Sequence, residues 1–132
     1  MAYGDFDNDG RLDLLLIQNT GPPHLLHNES PAANHWIKFI PQGTKSNRDG
    51  YGAIVRVTTG AMVQTDTVRS GSSYLSASDR RLNFGLGAAG LANTVEVTWP
   101  SGQRDTWHNL AADKIYRLTE AKTPEPELYP KR

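Results

Sequence analysis

Apolar and polar positions alternate along this chain in short bursts. In residues 53–59 the apolar side chains fall at Ala53, Val55 and Val57, and in residues 94–99 at Val95, Val97 and Trp99. A period of two puts each set on one face of an extended strand, so both segments are predicted as strands with one buried face. Gly60 separates the first from residues 62–69, where Ala61, Val63, Thr65, Thr67 and Arg69 form the less charged set, and the 52–69 stretch reads as a hairpin. Residues 12–18 and 24–27 flank the turn cluster 19–23 and predict another hairpin. Further short strands are expected from near His35 through Ile40, at Tyr74-Leu75, and at 81–84, 104–107 and 115–118, with a turn at 100–103. Residues 85–91 hold three glycines, each costing about 1 kcal/mol in a helix, and are expected to form a loop.

Turn signals at this spacing predict an all-β chain with at least seven strands and no helix longer than about ten residues, arranged as an antiparallel β-sandwich or small barrel. The expected core gathers Trp36, Phe39, Val55, Val57, Phe84, Leu86, Val95, Val97, Trp99, Ile115 and Leu118. Residues 121–132 are Pro-rich and charged, with little to bury, and read as a linker or tail. The organisation is therefore an N-terminal hairpin (1–31), a sandwich (32–120) and a tail (121–132).

Composition narrows the function classes. The 132 residues suffice for one ordinary domain, and 14 Lys plus Arg balance 14 Asp plus Glu, which gives no pull toward nucleic acid. Cysteine is absent, which excludes disulfides and thiolate chemistry. The longest apolar run, Leu14 to Ile17, is far too short to insert into a membrane, and no basic-then-apolar signal precedes Asp5. A start so close to a loop that needs a structural frame is the expectation for a piece of a longer protein.

The chemistry concentrates in Asp5-Phe6-Asp7-Asn8-Asp9-Gly10-Arg11-Leu12-Asp13. Asp5, Asp7, Asp9 and Asp13 occupy loop positions 1, 3, 5 and 9, Gly10 stands at the sharp turn, and Arg11 offers a backbone carbonyl at position 7. Four carboxylates so close repel by on the order of several kcal/mol in a partly buried site, and a hard divalent cation seeking six to eight oxygens reverses that sign. Ca²⁺ is the expected cofactor, since Mg²⁺ prefers more water and Zn²⁺ prefers nitrogen or sulfur. An EF-hand would require Glu at position 12, where Leu16 stands, and a strand follows rather than a helix. The segment 4–14 resembles the calcium loop of FG-GAP and VCBS-type repeats, which build integrin-like β-propellers. A blade needs four strands where two are legible, so a propeller is expected upstream in the parent chain.

Residues 34–120 resemble a second family. Asn34-His35-Trp36-Ile37, the run 43–49, Gly52-Ala53-Ile54-Val55, Phe84-Gly85-Leu86-Gly87, the run 95–102 with its Trp99-Pro100-Ser101-Gly102, and Glu120 are similar to the ASPIC/UnbV domain, which follows such repeats in CRTAC1-like extracellular proteins. The resemblance implies a secreted, calcium-binding module of adhesion or recognition type, with a protein or glycan partner, periplasmic or cell-surface in a bacterium. It implies no catalytic residue.

The polar loop around Asn47, Arg48, Asp49 and Tyr51 has the composition of a partner-binding tip, and equally of a loop braced by an Arg48–Asp49 pair or by backbone hydrogen bonds. Signs of catalysis are weak. His24, His27, His35 and His108 are scattered, no Gly-x-Ser-x-Gly elbow occurs, and Gly85-x-Gly87-x-x-Gly90 lacks the helix and acid of a nucleotide site. Asn28-Glu29-Ser30 is a glycosylation sequon in a eukaryotic secretory host. The expectation is a non-enzymatic calcium-binding extracellular interaction module. Its rivals are an accessory domain of a biosynthetic enzyme and a purely structural, calcium-rigidified joint.

Overall fold

Alternation at the two clearest segments becomes two neighbouring strands of one sheet in the computed structural model, which describes residues 1–31, 33–71 and 74–127. The described residues form eleven strands and no helix: β1 Ala2–Gly4, β2 Asp13–Leu16, β3 His24–Leu26, β4 His35–Gln42, β5 Ile54–Thr59, β6 Met62–Thr67, β7 Leu82–Gly87, β8 Leu91–Thr98, β9 Arg104–Ala111, β10 Lys114–Thr119 and β11 Glu125–Glu127. They assemble as β1-β2-β3, β11-β10-β4-β7 and β6-β5-β8-β9. The two four-stranded sheets face each other as a sandwich. Ile37, Phe39, Phe84, Leu86, Tyr116 and Leu118 from one meet Val55, Val57, Ala92, Val95, Val97 and Trp99 from the other or its flanks.

The fold is all-β and sandwich-like, as the alternation predicts, with one pair outside the antiparallel scheme: β10 runs parallel to β4, from Lys114 opposite Ile37 to Thr119 opposite Gln42. Parallel neighbours need a long crossover, and here the chain traverses the whole second sheet between them.

Several local expectations are corrected. Trp36 is half-buried and Ile37 takes its place in the core, because spacing of three between Trp36 and Phe39 cannot keep both on one face. A register shift between His35 and Trp36 marks the same spot. Residues 85–91 are not a plain loop: Gly85 to Gly87 continue β7, and Leu91 opens β8. Tyr74 and Leu75 lie in an exposed turn, with Leu75 at φ +48°, not in a strand. Val63 is exposed and Gln64 turns instead toward the carbonyl of Gly85 (2.7 Å), so the core-facing set of β6 is the opposite of the one its charge pattern suggests. The expected tail contains β11, paired antiparallel with β10 from Ile115 opposite Glu127 to Arg117 opposite Glu125. Residues 128–132 of that tail, and Ala32 at the hairpin boundary, lie outside the described residues.

Candidate metal centre

Strand β1 delivers Asp5 and β2 begins at Asp13, and their antiparallel pairing, with Gly4 opposite Asp13, closes the acidic loop between them. Two backbone conformations make the turn: Asn8 at φ +62° and Gly10 at φ +99°. Gly10 is required for a second reason. A Cβ there would come within 2.0 Å of the Trp36 indole nitrogen, so the half-buried Trp36 lies flat against the loop where a side chain would stand.

Within the loop the carboxylates take its amide hydrogens. Asp9 N–H donates to Asp5 Oδ1 (3.1 Å), Gly10 N–H to Asp5 Oδ2 (2.9 Å), Phe6 N–H to Asp13 Oδ2 (3.1 Å) and Asn28 N–H to Asp13 Oδ1 (2.9 Å). Asp7 Oδ1 accepts from Asp9 N–H at 3.3 Å. Asp5 and Asp13 are buried. Carboxylate oxygens of Asp5, Asp7 and Asp13 converge to within 4.8 Å of one another, and Asp7 and Asp9 form an overlapping group with His27.

Four of the five expected ligand residues therefore bring carboxylates to this loop, but in two groups. Asp9 turns aside, paired with the guanidinium of Arg11, which also donates to the Ser30 carbonyl (2.9 Å). Arg11 thus enters the site through its side chain as well as standing at the loop's seventh position. His27 was invisible to sequence spacing because it lies one residue past β3, where strand alternation no longer dictates its facing. Its Nε2 is 3.2 Å from Asp7 Oδ2, and its ring meets Phe6 edge-on at 5.3 Å.

Lys38 is the other residue that sequence missed. Both faces of β4 are covered: Ile37, Phe39 and Pro41 point into the sandwich, while Lys38, 1% exposed, points the other way and pairs with Asp5. Burial drives the Lys38 ammonium below its usual range and Asp5 pulls against that shift. Burial would raise the Asp5 carboxyl, but the Lys38 ammonium and the amides of Gly10 and Asp9 outweigh it and hold it below the usual carboxylate range. Arg81 completes the docking, donating to Asn8 Oδ1 and the Asp5 carbonyl, both at 2.6 Å, and to Asp79 Oδ2 at 2.5 Å.

Calcium fits this donor set. The converging atoms are all carboxylate oxygens, Asp5 Oδ1 and both oxygens of Asp13 keep acceptor capacity beyond their amide partners while Asp5 Oδ2 is shared by Gly10 N–H and Lys38, and the three carboxylates outweigh the single Lys38 ammonium in contact with them.

At the other end of the sandwich the motif residues meet on one acid. Glu120, 1% exposed, accepts N–H groups from Thr44 (2.8 Å), Lys45 (2.7 Å) and Ser46 (2.8 Å), and hydroxyls from Ser46 (3.0 Å) and Ser101. Burial raises its pKa, and these donors together overcome that and bring it down to about 2. Ser101 comes from the Trp99-Pro100-Ser101-Gly102 turn, which closes through Gly102 N–H to the Trp99 carbonyl (2.9 Å). The clamp fixes the base of the 46–51 loop. There the Asn47 side chain spans Tyr51 with two hydrogen bonds, accepting from its N–H (2.8 Å) and donating to its carbonyl (2.7 Å). The brace is thus of the backbone kind; Asp49 pairs with Arg80 (2.5 Å) and not with Arg48.

Comparison with known proteins places these elements. The family described as ASPIC and UnbV matches residues 43–125, the sandwich from the Glu120 clamp to β11. Cartilage acidic protein 1 of Mus musculus is 30% identical over 127 residues, 93% of this chain and 19% of that protein. The Homo sapiens counterpart is 31% identical over the same shares, and that of Xenopus tropicalis 34% identical over 96% of this chain and 20% of its own length. The chain spans about a fifth of the length of the curated relatives it matches.

Proposed function

The chain belongs to the ASPIC and UnbV family, and from that premise and the acidic loop we propose that it is a non-enzymatic, calcium-binding interaction module of an extracellular protein. The observation that carries the metal assignment is the convergence of Asp5, Asp7 and Asp13 carboxylate oxygens within 4.8 Å on a loop whose backbone is already turned. Asp5, Asp7 and Asp13 would hold the ion, with Asp9 released from Arg11 and the Arg11 carbonyl as further donors. The ion supplies charge neutralisation. The chain's own residues do the rest: the amides of Phe6, Asp9 and Gly10 orient the carboxylates, and Trp36 and Arg81 hold the loop on the sandwich.

The extracellular setting is supported by relatives that bear the name of a cartilage protein, and among the described residues no helix is long and apolar enough to cross a membrane. The remainder of the parent chain would carry the upstream repeats that the 4–14 loop resembles. A partner, protein or glycan, would meet the loop that presents Asn47, Arg48, Asp49 and Tyr51. The structural-joint reading has its own support in Trp36, Lys38 and Arg81, which tie the acidic loop to the sandwich.

Isothermal titration with CaCl₂ tests the assignment. One site with a dissociation constant of about 10⁻⁴ to 10⁻³ M, as in other extracellular modules, is expected for the wild type, and no saturable heat for Asp7→Ala. Equal heats in both proteins would overturn it.

A further inference from the structure

The 46–51 loop forms one wall of a cleft of about 310 Å³ whose opposite wall is the segment 79–81. Four arginines line it: Arg48, Arg80, Arg81 and Arg117. Three are engaged. Arg80 pairs with Asp49 across the cleft (2.5 Å) and lies 5.9 Å from the Tyr51 ring, Arg81 pairs with Asp79 (2.5 Å), and Arg117 pairs with Glu127 and donates to Gln42 Oε1 (2.9 Å). Arg48 is exposed, and among the described residues its side chain has no hydrogen bond or ion pair. Four guanidinium groups against Asp49, Asp79 and Glu127 leave one positive charge in excess. Ile40, half-buried on the outer face of β4 beside Arg117, adds an apolar side chain to the lining.

We propose that this cleft is a binding site for one glutamate side chain of a partner polypeptide. The guanidinium fork matches a carboxylate, and Arg48 offers one without a competing partner. Ile40 provides apolar surface for the two methylenes of a glutamate, which a shorter acid would cover less fully. A polyanion is disfavoured, because Asp49 and Asp79 face any second negative group. The walls are fixed in advance. Asn47 braces one, and Arg81 anchors the other on the acidic loop through Asn8 and the Asp5 carbonyl, so little ordering is left for binding to impose. The inference rests on the reading of the 46–51 loop as a partner-binding tip and does not require calcium.

Nuclear magnetic resonance on the ¹⁵N-labelled chain tests it, with acetyl-Gly-Glu-Gly-amide, its Gln counterpart and a heparin-derived hexasaccharide as probes. The Glu peptide is expected to shift the side-chain Nε–H signals of Arg48 and Arg80 and the amides of residues 47–51, with millimolar affinity weakened at least fivefold by Arg48→Ala. The Gln peptide is expected to leave them in place. Equal shifts from the Gln peptide, or wild-type affinity in Arg48→Ala, would overturn the site. Tighter binding of the hexasaccharide at the same signals would overturn the carboxylate assignment while leaving the loop as an interaction tip. No response of the 47–51 signals to any probe would remove both.

Discussion

Glu120 shows how a single buried acid can organise residues more than seventy positions away. Its pKa of about 2 in the folded chain lies below its ordinary 4.5, so it adds stability above pH 4.5 that is lost as pH falls toward 2. Urea midpoints measured between pH 5 and pH 2.5 are expected to fall in the wild type and to change less in Glu120→Gln. That substitution places an amide donor against the N–H groups of residues 44–46 and is expected to cost about 2 kcal/mol or more at pH 7. Lys38 works in the opposite sense, as a built-in cation beside the carboxylates. Lys38→Met leaves Asp5 buried without it, and about 3–5 kcal/mol of destabilisation is expected in chelator, with a larger recovery on adding calcium than the wild type shows. Denaturation in EDTA and in millimolar calcium reads both. Equal losses in the two conditions would mean that Lys38 and the ion do not share Asp5. Of these residues, the aspartates were legible because their spacing is local. Lys38 and His27 were not, since a lysine in a strand reads as solvent-facing until the second layer covering β4 is known.

Strands with clean alternation were legible for the same local reason. Val95, Val97 and Trp99 are buried as their period of two demands, and Val97→Ala is expected to cost about 1–3 kcal/mol. The glycine-bearing end of β7 was not legible: Gly85 and Gly87 weaken intrinsic strand preference, and pairing with Trp36 and His35 of β4 overrides it. The same holds for β11, where Glu125-Pro126-Glu127 offers no apolar pattern and is held by the edge of β10 and the Arg117–Glu127 pair. Pro126 is tolerated at such an edge. Truncation after Thr123 is expected to lower stability by about 1 kcal/mol and to raise amide exchange along β10, whereas a mobile tail would leave both unchanged.

At the scale of the molecule, sequence suggests a hairpin and a sandwich with separate apolar clusters, so that losing calcium would loosen one and spare the other. The structure joins them through polar and aromatic contacts that no hydrophobic pattern reveals: Trp36 over Gly10, Lys38 on Asp5, and Arg81 on Asn8 and the Asp5 carbonyl. If the loop binds calcium as proposed, the ion would therefore stabilise the sandwich as well. Scanning calorimetry with and without the ion tests this most directly. At ten times the dissociation constant the ion is expected to add roughly 1.4 kcal/mol, raising one shared melting transition in the wild type and leaving that of Asp7→Ala unmoved. A calcium-independent melting temperature in the wild type, or a calcium shift of equal size in Asp7→Ala, would contradict the account.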